Sequence, residues 1–142
     1  MKKLIIFFIL SALVITGCET LSKLPTNTTG GIFSLNGKWV LNSSSENNAL
    51  AGTVITVMPG LNTATVTSLS NNNYCLRDND IIWKDIKSNS GGFFISNLVT
   101  ACNSTMMYKN AQITVLSNDQ VRVYGKGVTG VDLTQTWNRT TQ

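Results

Sequence analysis

Short segments of this chain alternate apolar and polar side chains with a period of two residues. This alternation is clearest near the C-terminus, where Val131, Leu133, Gln135 and Trp137 alternate with Asp132, Thr134, Thr136 and Asn138. Successive side chains of a β-strand point to opposite faces of the sheet, so this pattern predicts a strand with one buried face. After the first seventeen residues, no stretch keeps a helical period.

Similar segments, rich in Thr, Val and Ile, recur along the chain between clusters of Asn, Gly and Ser, which favour turns. We predict strands at Lys38–Asn42, Thr53–Met58, Thr63–Leu69, Asp80–Lys84, Gly92–Leu98, Ala111–Ser117, Val121–Gly125 and Val131–Asn138. A weaker strand signal lies at Thr105–Tyr108, and Ser43–Leu50 has room for one helical turn. About eight short strands indicate an all-β fold, either a sandwich or a closed antiparallel up-and-down barrel. We prefer the barrel because closure removes exposed strand edges.

The N-terminus has the pattern of an export signal. Lys2 and Lys3 precede an uncharged apolar run, Leu4–Ile15. This run is shorter than the roughly 20 residues that a membrane-spanning helix needs, so we interpret it as a cleaved signal. Ile15-Thr16-Gly17-Cys18 then resembles the lipobox of bacterial lipoproteins, which implies cleavage after Gly17 and acylation of Cys18, with palmitate as a typical chain.

This interpretation divides the chain into three parts. Residues 1–17 are the predicted signal peptide, residues 18–31 an acylated cysteine with a flexible polar tether, and residues 32–142 the folded domain. Acyl chains on Cys18 would hold the protein on a membrane. Glu19 follows, rather than the aspartate that retains enteric lipoproteins at the inner membrane. We therefore expect the protein to lie in the cell envelope, anchored in the outer membrane and facing the periplasm.

The composition argues against nucleic-acid binding and against chemistry that depends on histidine. Cleavage would remove two of the eleven basic residues and none of the seven acidic ones, leaving a net charge of about +2. The basic residues are scattered, so we expect no nucleic-acid partner. Histidine is absent, which removes the commonest general base and metal ligand. We expect neither a cofactor nor an enzyme.

Two cysteines remain beside Cys18. Cys75 and Cys102 are an even pair in a chain that we expect to be exported, where disulfides persist. A disulfide between them is our preferred interpretation, and two buried free thiols are the alternative. Two cysteines alone would make an incomplete metal site.

The two ends of the predicted domain carry a further resemblance. Leu35-Asn36-Gly37-Lys38-Trp39 opens the domain and Gln135-Thr136-Trp137-Asn138-Arg139 closes it. Together they resemble the small lipocalin-like lipoproteins of Bacteroidota, which often begin with Leu-x-Gly-x-Trp and end on a Trp-x-Arg strand. The resemblance implies that Trp39 and Arg139 close one end of the barrel as structural residues. A guanidinium stacked on an indole is a reasonable physical basis for this.

Four aromatic residues are candidates for lining a ligand site: Trp83, Trp137, Tyr108 and Phe94. The interior of an eight-stranded barrel holds either packed side chains or one small ligand, so these residues could instead fill the core. Phe93 and Phe94 are adjacent, and at most one of them can face inward. Asp78, Asp80 and Asp85 could begin a calcium site, but they fit a solvated turn better because the rest of an EF-hand loop is missing. We find no catalytic triad and assign no catalytic or metal-binding residue.

Our leading functional hypothesis is a non-catalytic, membrane-anchored barrel that binds a small apolar ligand or an envelope partner. The first alternative is a structural or interaction lipoprotein with a filled barrel and no ligand. The second is an inhibitor or adhesin that works through its loops. The ligand hypothesis predicts a cavity lined by aromatic side chains, and the filled-barrel hypothesis predicts a solid core.

Overall fold

The computed structural model describes residues 33–46, 48–70, 75–102 and 105–141. It is a closed barrel of eight antiparallel strands. The strands are β1 Gly37–Ser44, β2 Val54–Met58, β3 Thr63–Ser68, β4 Ile81–Asn89, β5 Gly92–Thr100, β6 Met107–Ser117, β7 Gln120–Lys126 and β8 Asp132–Thr140. The predicted signal peptide, Cys18 and the tether lie outside the described residues.

Each strand pairs with the next one along the chain, and β8 closes the barrel by pairing antiparallel with β1. In this last pair Trp39 lies opposite Arg139, and Leu41 lies opposite Trp137. The predicted all-β, up-and-down barrel is therefore confirmed. The described strand contacts lie within residues 33–141, so a chain that begins at residue 23 keeps every one of them.

The predicted alternation forms the core. Along β7 and β8, buried and more exposed residues alternate in nearly every position. Three tryptophans occupy the interior, with Trp39 and Trp83 fully buried and Trp137 only 2% exposed. The rings of Trp83 and Trp137 pack edge to face, with centroids 5.2 Å apart, a favoured aromatic arrangement.

All eight predicted strands are present with shifted bounds, and two of them, β4 and β6, extend four or more residues beyond the predicted ones. The observed β4 continues to Asn89, whereas the predicted strand ended at Lys84. The prediction stopped early because a bulge between Lys84 and Lys87 interrupts the two-residue alternation. Asp85 has a positive φ of 56° within that bulge, and Ile86 is still buried. β6 begins at Met107 and so includes part of the weak strand signal.

Within the part of the chain that the structure describes, the helical elements are single turns. The predicted turn within Ser43–Leu50 is a 3-10 turn over Asn48–Leu50, because β1 continues to Ser44. A second 3-10 turn, Pro59–Leu61, lies in the connection between β2 and β3 and is followed by Asn62 with φ 54°. No helix among the described residues has the length and hydropathy to cross a bilayer.

The two ends of the barrel differ in their connections. Loops 45–53, 69–80, 101–106 and 127–131 share one end, which we call the long-loop end. Loops 59–62, 90–91 and 118–119 share the other, which we call the short-loop end. Phe33, the first described residue, lies at the short-loop end against Trp39 and Phe93, with ring centroids 6.2 Å from each. The chain that precedes the barrel therefore joins it at the short-loop end.

Candidate functional site

Trp39 and Arg139 meet at the short-loop end. The guanidinium carbon of Arg139 lies 4.3 Å from the centroid of the Trp39 ring and 5.9 Å from that of Phe33. The Trp39 indole N–H donates a hydrogen bond to the Leu35 carbonyl at 2.9 Å. The guanidinium of Arg139 is thus in cation–π contact with the Trp39 indole.

Hydrogen bonds from Arg139 tie together segments that are far apart in sequence. Its Nη2 and Nη1 donate to the carbonyls of Ser34 and Asn36, both at 2.7 Å, and its Nε donates to the carbonyl of Asn118 at 3.0 Å. A guanidinium suits this task because its donors are rigidly arranged. All three of these hydrogen bonds go to backbone carbonyls, so Arg139 joins β8 to the segment before β1 and to the β6–β7 loop at this end of the barrel.

The long-loop end is cross-linked. The Sγ atoms of Cys75 and Cys102 lie 2.09 Å apart and form a disulfide between loops 69–80 and 101–106. The predicted disulfide is present. Glu46 also ties two loops together at this end, because its carboxylate accepts hydrogen bonds from the Val128 backbone N–H.

A small apolar cavity lies beneath these loops. Its volume is about 40 Å³. The lining residues are Leu41, Leu50, Thr53, Leu76, Ile82, Leu98, Val99, Thr100, Ala101, Gln135 and Trp137. A water molecule needs roughly 10–15 Å³ of such volume, so the cavity holds only a few water-sized groups. Small-molecule sites of ordinary size are several hundred Å³.

The structure separates the four aromatic residues proposed to line a ligand site. Trp137 lines the cavity, whereas Trp83 packs behind it as part of the filled core. Phe94 is 54% exposed and does not contribute to this cavity, so its assignment as an interior residue is wrong. Its neighbour Phe93 occupies the inward position of β5, opposite the fully buried Ile113.

Tyr108 is also absent from the walls of this cavity. It is half-buried, and its hydroxyl donates to the Ile81 carbonyl at 2.9 Å. The ammonium of Lys84 lies 3.8 Å from its ring centroid. Partial burial, and secondarily the negative charge of Asp80, raise the pKa of the Tyr108 phenol above its usual value. Tyr108 thus connects β4 to β6 and does not line the interior cavity.

Several polar atoms are buried in or beside the core without a hydrogen-bond partner among the described residues. They are the Thr53 hydroxyl, the Trp83 indole nitrogen and both side-chain amide atoms of Asn97. Asn97 and Trp83 lie directly opposite each other on β5 and β4. The burial of Asn97 was not predicted, since one asparagine in a polar-rich chain carries no signal of burial.

Two of the carboxylates considered for a calcium site, those of Asp80 and Asp85, accept local hydrogen bonds. One carboxylate oxygen of Asp80 accepts from the Arg77 backbone N–H at 2.7 Å, and one of Asp85 accepts from the Ser96 hydroxyl at 2.9 Å. Within residues 33–46, 48–70, 75–102 and 105–141, no three His, Cys, Asp or Glu side chains are grouped to hold a metal ion.

No protein-family model matches the chain, and neither a curated protein nor a solved structure matches it significantly.

Proposed function

We propose that this chain is a lipid-anchored lipoprotein of the bacterial cell envelope whose barrel is a filled, non-catalytic interaction module. The proposal of a filled barrel rests on the packing of the barrel interior. Three tryptophans and many aliphatic side chains fill it, and the cavity at the long-loop end is only about 40 Å³. This matches the solid core that distinguishes the filled-barrel hypothesis from the ligand hypothesis.

The placement of the two barrel ends supports an interaction role. The polypeptide enters at the short-loop end, where Arg139 and Trp39 close the barrel. An anchor at Cys18 would therefore hold the short-loop end nearer the membrane and leave the long-loop end free to meet a partner. We place this partner in the envelope, with the anchor in the outer membrane and the barrel facing the periplasm.

Mass spectrometry of the chain extracted from bacterial membranes tests the anchor. We expect a mass that lacks residues 1–17 and carries two or three acyl chains at Cys18. Cys18→Ala should abolish the acylation, because the lipid is attached to the Cys18 sulfur. An unacylated chain found in the soluble fraction would refute the lipoprotein assignment.

The walls of the cavity favour a second candidate function, binding of a small apolar ligand. Most of the lining side chains are aliphatic, and none of them is charged. Such a surface favours an apolar group over water. In its present size, however, the cavity admits only the end of a ligand, so this function requires the cavity to enlarge.

A further inference from the structure

The two half-cystines at the long-loop end flank the cavity. Cys75 directly precedes Leu76, and Cys102 directly follows Ala101. Both Leu76 and Ala101 line the cavity, and Leu76 is buried. The disulfide therefore fastens two parts of the cavity wall to each other across loops 69–80 and 101–106.

The other parts of the wall are held differently. Leu41, Gln135 and Trp137 lie in β1 and β8, which are fixed by the pairing that closes the barrel. In the loops, the Arg77 N–H donates to Asp80, and the Cys102 N–H donates to the Thr100 hydroxyl at 3.2 Å. Each of these hydrogen bonds joins residues close in sequence, so neither connects one loop to the other. Loop 45–53 also contributes to the wall, through Leu50 and Thr53. The disulfide is a covalent link between the described parts of the other two loops that line the cavity.

The disulfide is also accessible. Cys75 is exposed and has a positive φ of 61°, a conformation that is uncommon for a residue other than glycine. Exposed disulfides whose surroundings are strained are reduced more readily than buried structural ones. We propose that the cavity is the closed form of a binding site for an uncharged aliphatic group, and that the Cys75–Cys102 disulfide is the latch that keeps it closed. This inference rests on the second candidate function and adds its ligand class and its control.

Opening would proceed by thiol–disulfide exchange with a dithiol reductant. One thiolate of the reductant attacks the sulfur of Cys75, the more exposed of the two half-cystines, forms a mixed disulfide and expels the Cys102 thiolate. The second thiol of the reductant then displaces Cys75 and becomes part of the oxidised, disulfide form of the reductant. The dithiol loses two electrons, and each cysteine gains one proton. The segments that carry Leu76 and Ala101 are then no longer joined covalently.

The ligand class follows from the lining. Leu41, Leu76, Ile82 and Leu98 are aliphatic and buried, and Trp137 adds an aromatic wall. With no charged side chain in the lining, a charged group would be buried without a partner, at a high cost. An uncharged aliphatic chain meets no such cost.

The experiment is a titration of residues 23–142 with 1-hexanol, followed by NMR at the Trp137 indole and at the backbone amides of Leu76 and Ala101. We expect saturable shifts in the dithiol-reduced protein and in the Cys75→Ser/Cys102→Ser variant. Their apparent Kd should be at least tenfold lower than that of the oxidised protein. Ala101→Leu fills the cavity and should abolish the shifts. Ser88→Leu, at an exposed position of β4, is the matched control and should keep them.

Each other outcome overturns the proposal in a recognisable way. Equal binding by the oxidised and reduced proteins would leave a ligand site but remove the latch. Absence of saturable shifts in every form would refute the aliphatic site and leave the filled-barrel function standing. Loss of the dispersed spectrum on reduction would show that the disulfide is required for the fold and does not act as a latch.

Discussion

Replacing Asn97 by leucine should stabilise this protein. Asn97 is 1% exposed on β5, and neither its amide nitrogen nor its amide oxygen has a partner among the described residues. Each buried polar group left unpaired costs roughly 1–3 kcal/mol, whereas an apolar side chain of similar shape does not carry this cost. Leucine matches the branched shape of asparagine. Using the low end of the range for two atoms, we expect a gain of about 2 kcal/mol in the free energy of unfolding.

Urea unfolding of residues 23–142, monitored by tryptophan fluorescence and circular dichroism, measures this change. The midpoint should rise with an unchanged slope, because the surface exposed on unfolding stays the same. Thermal unfolding should shift upward by roughly 8 °C for a domain of this size. Asn110→Leu is the matched control on the neighbouring strand. Asn110 is exposed, so its replacement should change the free energy of unfolding by less than about 0.5 kcal/mol.

The opposite sign would refute the reasoning. If Asn97→Leu lowers the free energy of unfolding by more than about 1 kcal/mol at unchanged slope, the amide has a bound partner in the native barrel. That partner would be an ordered water molecule or a ligand group, and the interior would not be filled by side chains alone.

Further perturbations test other parts of the fold. Gly92→Ala should lower the free energy of unfolding in urea by roughly 3 kcal/mol, because its new Cβ would lie against the Ile113 backbone carbonyl. Gly91→Ala is the control: its Cβ would meet nothing within 4 Å, so the free energy of unfolding should hardly change. A tolerated Gly92→Ala would contradict the tight β5–β6 approach. Arg139→Lys should lose roughly 2 kcal/mol, since lysine keeps the charge but cannot reproduce the three hydrogen bonds to backbone carbonyls. Equal stability of that variant would show that charge alone closes the short-loop end. Ultraviolet titration should detect one phenol with a pKa above the usual tyrosine value, because burial and Asp80 raise the pKa of Tyr108. This ionisation should be absent from the titration of Tyr108→Phe. The neutral phenol is favoured in the folded state, so its contribution to stability is complete below the ordinary tyrosine pKa and is lost as pH rises through the raised one. If removing Tyr108 leaves the alkaline loss of stability unchanged, this group does not contribute to it.

The architecture could be predicted because it depends on local patterns. The alternation from Val131 to Asn138 places Leu133, Gln135 and Trp137 in the interior, where the structure has them. Eight such segments with short connections leave few ways to pair their edges, and closure is the simplest. The disulfide followed from counting cysteines, without any knowledge of which loops approach each other.

The details of the candidate site depend on register, which the sequence does not display. Phe93 and Phe94 are equivalent as residue types, and only the pairing of Phe93 with Ile113 shows which faces inward. Asp85 takes a left-handed conformation inside a bulge, so the alternation of β4 is broken and its second half was missed.

The cavity could not be predicted for a different reason. Its walls come from strands and from three loops, two of which the disulfide joins, so it depends on contacts between residues far apart in sequence. The choice between a filled barrel and a ligand-binding barrel depends on such tertiary packing, because the same aromatic residues are compatible with both.

Native mass spectrometry of residues 23–142, produced in a bacterial periplasm with the Cys75–Cys102 disulfide intact, decides whether the barrel is filled by its own side chains. A barrel filled by its own side chains predicts the mass of the bare polypeptide less two hydrogens. A reproducible excess mass that is lost on denaturation would contradict the filled barrel and identify the class of the bound ligand.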